Sequence, residues 1–165
     1  MNLPSPSEGR IKMEENLVTL KIDDKEVKVK QGTTILQAAK QAGIDIPTLC
    51  FLKDINEVGD CRMCIVEVDG RKGFATSCIQ KAEEGMVVHT HSPAVMEARR
   101  VILDLILSNH HRDCLTCSRN GNCELQALAM KFNVQHVEFE GEMTEHKVDD
   151  KSPAIMRDFN KCILC

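Results

Sequence analysis

The apolar-rich run 17–22 (LVTLKI), the turn pair Asp23 and Asp24, and the alternation Val27, Lys28, Val29 predict a β-hairpin. The apolar period then lengthens. Thr33 is expected to cap a helix over residues 34–42, with Ile35, Leu36, Ala38, Ala39 and Ala42 on its buried face and Gly43 as its stop. Two further strands are expected, over residues 64–68 and 86–88. Ser92 followed by Pro93 is a strong helix start, and Val95, Ala98, Val101, Ile102, Leu105 and Ile106 recur at helical spacing up to Ser108. Arg99, Arg100 and Asp104 read as polar interruptions that argue against a membrane span. A short helix over residues 124–131 is expected to bury Leu125, Leu128, Ala129 and Phe132.

These elements divide the chain. Residues 1–16, with Pro4, Pro6 and no apolar run, are expected to be a disordered leader rather than a signal segment. Residues 17–91 form a strand-rich unit crossed by one helix, of α+β class and resembling a β-grasp. Residues 92–137 form a small helical domain, residues 138–156 an acidic, solvated linker, and residues 157–165 the start of a further motif. Composition narrows the chemistry. With 21 Lys plus Arg against 25 Asp plus Glu, the net charge of -4 carries no basic footprint for nucleic acid. The chain has no Trp, no Tyr and five Phe, so base-stacking platforms are poorly supplied. No dinucleotide glycine fingerprint, phosphate loop or Ser-His-Asp arrangement is present.

Nine cysteines change the picture most. The count is odd and no secretory signal precedes it, which favours reduced thiolates in a cytoplasmic setting over a disulfide framework. Cys50, Cys61, Cys64 and Cys78 follow the spacing C-x10-C-x2-C-x13-C. Three ligands from one glycine-bearing loop and a fourth from elsewhere can enclose a flat 2Fe-2S rhomb, with Gly59 free to turn backbone amides toward sulfur. Four thiolates also satisfy zinc, although zinc ribbons usually show two C-x2-C knuckles and this set has one. Arg62 lies between two of these ligands, either tuning the site or simply solvated. The second constellation is His110-x3-Cys114-x2-Cys117-x5-Cys123. Three thiolates and an imidazole suit the four corners of a 4Fe-4S cubane, or a structural zinc ion. His111 is adjacent and chemically able to replace His110. His89, His91, His136 and His146 have no cysteine nearby in sequence and read as ordinary histidines. The last pair, Cys162-x2-Cys165, begins a ferredoxin-type run that stops after two of its four ligands.

Taken together, residues 59–68 (GDCRMCIVEV), 110–126 (HHRDCLTCSRNGNCELQ) and 152–165 (SPAIMRDFNKCILC) make the chain resemble a known family. It is similar, over residues 17–165, to the N-terminal electron-transfer region of multi-cluster FeFe-hydrogenases, above all nicotinamide-linked, flavin-partnered ones. The large iron-sulfur subunit of NADH:quinone oxidoreductase and some NAD-dependent formate dehydrogenases share this region. The resemblance implies a 2Fe-2S cluster on Cys50, Cys61, Cys64 and Cys78 and a 4Fe-4S cluster on His110, Cys114, Cys117 and Cys123. It also selects His110 over His111, although relatives usually have proline where this chain has His111. Cys162 and Cys165 would begin a further 4Fe-4S site, and the chain is expected to be a piece of a longer polypeptide.

The expected function is therefore electron transfer with no catalytic site in these residues. Partners would be flavin-containing, NAD(P)H-oxidising iron-sulfur subunits or ferredoxin, in a hetero-oligomer. A zinc-dependent interaction module is the rival of another class, and redox-dithiol chemistry at Cys162 and Cys165 is a third reading.

Overall fold

The computed structural model describes residues 16–140, Met143 and residues 145–163. The leader expected over residues 1–16 lies outside the described residues except for Asn16, and so does Cys165. The hairpin forms as the alternation predicts. Strand β1 (Leu17–Ile22) pairs antiparallel with β2 (Lys25–Lys30), from Leu17 opposite Lys30 to Ile22 opposite Lys25. Leu20 and Ile22 point inward with Val27 and Val29, while Lys25, Lys28 and Lys30 stay exposed. Asp23 takes the left-handed conformation at the turn, and its carboxylate accepts from the Thr90 amide and hydroxyl.

Helix α1 (Ile35–Gln41) buries Ile35, Leu36, Ala38 and Ala39 against the sheet. Its cap is Thr34, not Thr33. The Thr34 side chain accepts from the Gln37 amide while the Gln37 side chain accepts from the Thr34 amide, a reciprocal capping box that Thr33 is one residue too early to make. Gly43, at φ +71°, follows the helix end. The rest of the sheet comprises β3 (Ile65–Val68), β4 (Phe74–Thr76) and β5 (Val87–His89), giving the order β2-β1-β5-β3-β4. The β1–β5 pair is parallel, and the others are antiparallel. A mixed sheet with one helix across a face is the α+β arrangement expected.

Helix α2 (Pro93–Ser108) begins on Ser92, whose hydroxyl accepts from the Val95 amide. Its buried stripe differs from the expected one. Val95, Arg99, Leu103 and Asp104 are buried, whereas Val101 and Leu105 are exposed. Two of the polar interruptions are thus interior groups, and each reaches a backbone partner: Arg99 donates through Nη2 to the Ile65 carbonyl, and Asp104 accepts from the Glu138 amide. Helix α3 (Glu124–Lys131) supplies Leu125 and Leu128, which join Phe132, Leu103 and Met63 in a second apolar core. Among the described residues no helix is long and apolar enough to cross a membrane.

Candidate metal centres

The first site sits where the two cores meet. Cys64 and Cys78 belong to the core under the sheet, and Cys61 packs against the second core beside Met63. The loop carrying Cys61 and Cys64 turns through two left-handed residues, Gly59 at φ +73° and Arg62 at φ +58°. A Cβ on Gly59 would meet Thr76 Cγ2 at 3.0 Å, so the loop lies close against β4. Arg62 is exposed but tethered: its Nη1 donates to Thr76 Oγ1 at 2.7 Å and staples the loop to the same strand. Cys78 is positioned by the turn after β4, where the Ser77 hydroxyl and amide both donate to the Cys64 carbonyl.

The four thiols lie within reach of one another, since Cys50, Cys61 and Cys64 all act on Cys78. Cys50 contacts Cys61 through its side chain, and its amide lies 3.4 Å from the Cys61 sulfur, while Cys78 contacts Cys64 through its side chain. Burial pushes the Cys50 thiol up, opposed by the Cys61 and Asp60 amides that face its sulfur. Burial together with Cys64 pushes Cys78 up to about 12. Among the described residues no three His, Cys, Asp or Glu side chains are placed to hold one metal ion together. A single zinc needs four donors converging on one point, whereas a two-iron rhomb needs two sulfurs at each end. The paired arrangement fits the second demand.

The second site lies at the end of α2. Cys114 sits in a short 3-10 turn (Cys114–Thr116), and Cys123 immediately precedes α3. His110, Cys114 and Cys123 line one cavity of about 390 Å³, and His110, Cys117 and Cys123 line a cavity of about 310 Å³. The four side chains predicted from sequence are therefore brought to adjoining spaces, and His111 lines neither. His110 Nδ1 is buried with no hydrogen-bond partner, and burial depresses the imidazole's pKa, which keeps it neutral and able to donate a lone pair at neutral pH. His111 Nε2 is also buried and without a partner. Asp113 holds Lys161 in an ion pair, with the carboxyl lowered and the ammonium raised by the contact, and this brings the last described residues against the site. Cys162 is exposed and shares an open groove with Cys61 and Ile102. Of the histidines read as ordinary, His89 contacts Asp69, His91 contacts Thr90, and His146 packs near Phe159. His136 lines the 390 Å³ cavity, a position its sequence neighbourhood does not signal.

Comparison with known proteins bears on which clusters the chain carries. Residues 15–93 match the 2Fe-2S iron-sulfur cluster binding domain, and residues 99–138 match the NADH-ubiquinone oxidoreductase-G iron-sulfur binding region. The chain is 44% identical over 155 residues to the NADP-reducing hydrogenase subunit HndD of Solidesulfovibrio fructosivorans, covering 91% of this chain and 26% of that protein. It is 36% identical over 150 residues to the mitochondrial NADH-ubiquinone oxidoreductase 78 kDa subunit of Neurospora crassa, covering 90% of this chain and 20% of that protein. The chain thus spans about a quarter or less of the length of these relatives. A solved NAD+-reducing NiFe-hydrogenase superposes with a TM-score of 0.83 at 32% identity, covering 90% of this chain and 62% of that one. The cofactors are accordingly a 2Fe-2S and a 4Fe-4S cluster. Over nine-tenths of its length the chain is similar to the iron-sulfur regions of these NAD(P)-linked oxidoreductase subunits, with a 2Fe-2S domain match followed by an oxidoreductase-G iron-sulfur region match.

Proposed function

We propose that the chain relays single electrons inside an NAD(P)-linked FeFe-hydrogenase. Cys50, Cys61, Cys64 and Cys78 hold the 2Fe-2S cluster, and His110, Cys114, Cys117 and Cys123 hold the 4Fe-4S cluster. When bound, these groups supply one-electron redox chemistry, and the protein supplies position, burial and charge. The observation that carries the reading is the second apolar core. Met63, Leu103, Leu125, Leu128 and Phe132 form one packed unit that touches Cys61 on one side and Cys123 on the other. One ligand from each set therefore packs against the same apolar unit. Met63 lies between Cys61 and Cys64 in sequence and is fully buried in that unit, so the first ligand loop is anchored directly to the second domain.

The 44% identity to an NADP-reducing hydrogenase subunit supports hydrogen as the parent enzyme's substrate, with a flavin-containing NAD(P)H-oxidising subunit or ferredoxin as partner in a cytoplasmic hetero-oligomer. A second reading, the equivalent region of an NADH:quinone oxidoreductase, is favoured by the match over residues 99–138. An oxygen-free preparation is expected to be brown, with two distinct reduced-state paramagnetic signals. Cys64→Ser should remove the 2Fe-2S signal alone and Cys117→Ser the 4Fe-4S signal alone. A colourless, sulfide-free protein carrying zinc would overturn the relay. The complex that copurifies with this chain from its host is expected to reduce NAD(P)+ with hydrogen. Activity confined to NADH-dependent quinone reduction would transfer the assignment to the second reading.

A further inference from the structure

Arg99 is the largest fully buried side chain among the described residues, with no exposed surface. Its Nη2 donates to the carbonyl of Ile65, the residue after Cys64, at 2.7 Å. Its Nε and Nη1 are buried with no hydrogen-bond partner. The guanidinium also lies 5.9 Å from the centre of the Phe132 ring in the second core. Although burial lowers its pKa to about 10, it stays cationic at neutral pH. Cys64, Asp45 and Asp23 lie near enough to oppose that lowering. A buried cation with two unpaired donors is costly unless an anion answers it. No carboxylate accepts from it among the described residues. The four-thiolate ligand set that includes Cys64, one residue before Ile65, is such an anion, and a ligated 2Fe-2S cluster is more negative by one charge after reduction.

We infer that Arg99 is a positioning residue that serves as the fixed counter-charge of the 2Fe-2S site, where its buried guanidinium stabilises the reduced form and holds the reduction potential up. The inference rests on the proposed ligand set. It also gives α2 a role besides packing: the helix carries a charge to the junction of the two cores, on the side from which Ile65 and Phe132 approach.

The test is a redox titration, followed by paramagnetic resonance, of the cluster-loaded chain and of Arg99→Met and Arg99→Lys. Met keeps most of the volume and removes the charge, whereas Lys keeps the charge and loses the planar fork. For Arg99→Met the 2Fe-2S reduction equilibrium is expected to fall at least tenfold, a downward shift of about 59 mV for one electron. Arg99→Lys should stay within that tenfold band, and the 4Fe-4S potential should move less than the 2Fe-2S potential in Arg99→Met. An Arg99→Met protein with both clusters and an unmoved 2Fe-2S potential would overturn the inference. So would an Arg99→Lys protein shifted downward tenfold, because shape rather than charge would then matter. If Arg99→Met does not load its clusters, Arg99→Lys decides: a retained potential supports the counter-charge, and a tenfold loss or failure to load makes Arg99 a structural brace. Absence of a 2Fe-2S signal in the unsubstituted protein would instead reject the ligand set itself.

Discussion

A thiol must lose its proton before it can bind iron, and at Cys78 the fold makes that loss harder. Burial and the neighbouring Cys64 hold the free thiol up to about 12, so the unloaded protein keeps this proton throughout the neutral range. Cluster assembly therefore has to expel it. Below that pKa, each unit of rising pH should strengthen apparent cluster affinity by up to about tenfold for this thiol alone. Reconstitution at limiting iron and sulfide, read by visible absorbance between pH 7 and 9, is expected to load the 2Fe-2S site more fully at the alkaline end. A flat profile would mean that Cys78 enters the reaction as thiolate. At the second site the corresponding question is which histidine binds. His110 lines both cavities with Cys123, and His111 lines neither. His110→Ala is expected to abolish the 4Fe-4S paramagnetic signal and His111→Ala to preserve it, although both imidazoles have a buried nitrogen without a partner.

At the scale of elements, the ligand loop depends on backbone conformation as much as on sulfur. Gly59 at φ +73° leaves tight space for a methyl group, since its Cβ would lie 3.0 Å from Thr76 Cγ2 and 3.3 Å from Ile79 Cδ1 and these side chains would have to give by a few tenths of an ångström. Gly59→Ala combines left-handed strain with that contact and is expected to cost about 1 to 3 kcal/mol. Thermal unfolding should register the loss, together with a weakened 2Fe-2S absorbance and an unchanged 4Fe-4S signal. The hairpin, the three α-helices and the ligand spacing were legible in the residues because each is a local pattern of period or motif. Strand β4 was not, because Phe74–Thr76 is three residues long behind Gly70, Arg71, Lys72 and Gly73, and it exists through its pairing with β3. The parallel β1–β5 pair is likewise set by tertiary closure, with only Lys21–Val87 and Ile22–Val88 in register. The buried stripe of α2 escaped for a different reason. Hydrophobic period places Arg99 and Asp104 outside, and the backbone partners that they reach inside, Ile65 and Glu138, are too distant in sequence for a local pattern to signal.

For the whole molecule, the deciding quantity is how many donors are committed to the two centres. The proposed relay assigns eight of the ten candidate donors to two sites, with Cys61 and Cys123 packed against one apolar core, and assigns no role to Cys162 and Cys165. The pair offers two thiolates, and a cubane in its usual form takes four protein ligands. Cys162 is exposed and lines an open groove that Cys61 also lines. If each centre is complete without the pair, an oxygen-free preparation of the 165-residue chain should hold about six irons and about six acid-labile sulfides. The double variant Cys162→Ser, Cys165→Ser should hold the same number, with both paramagnetic signals intact. About ten irons in the unsubstituted chain would mean that a third cubane forms from the pair and borrowed ligands. A fall below about six in the double variant would instead place Cys162 or Cys165 in one of the two centres. Equal counts would show that the relay of the first eight donors stands independently of the pair.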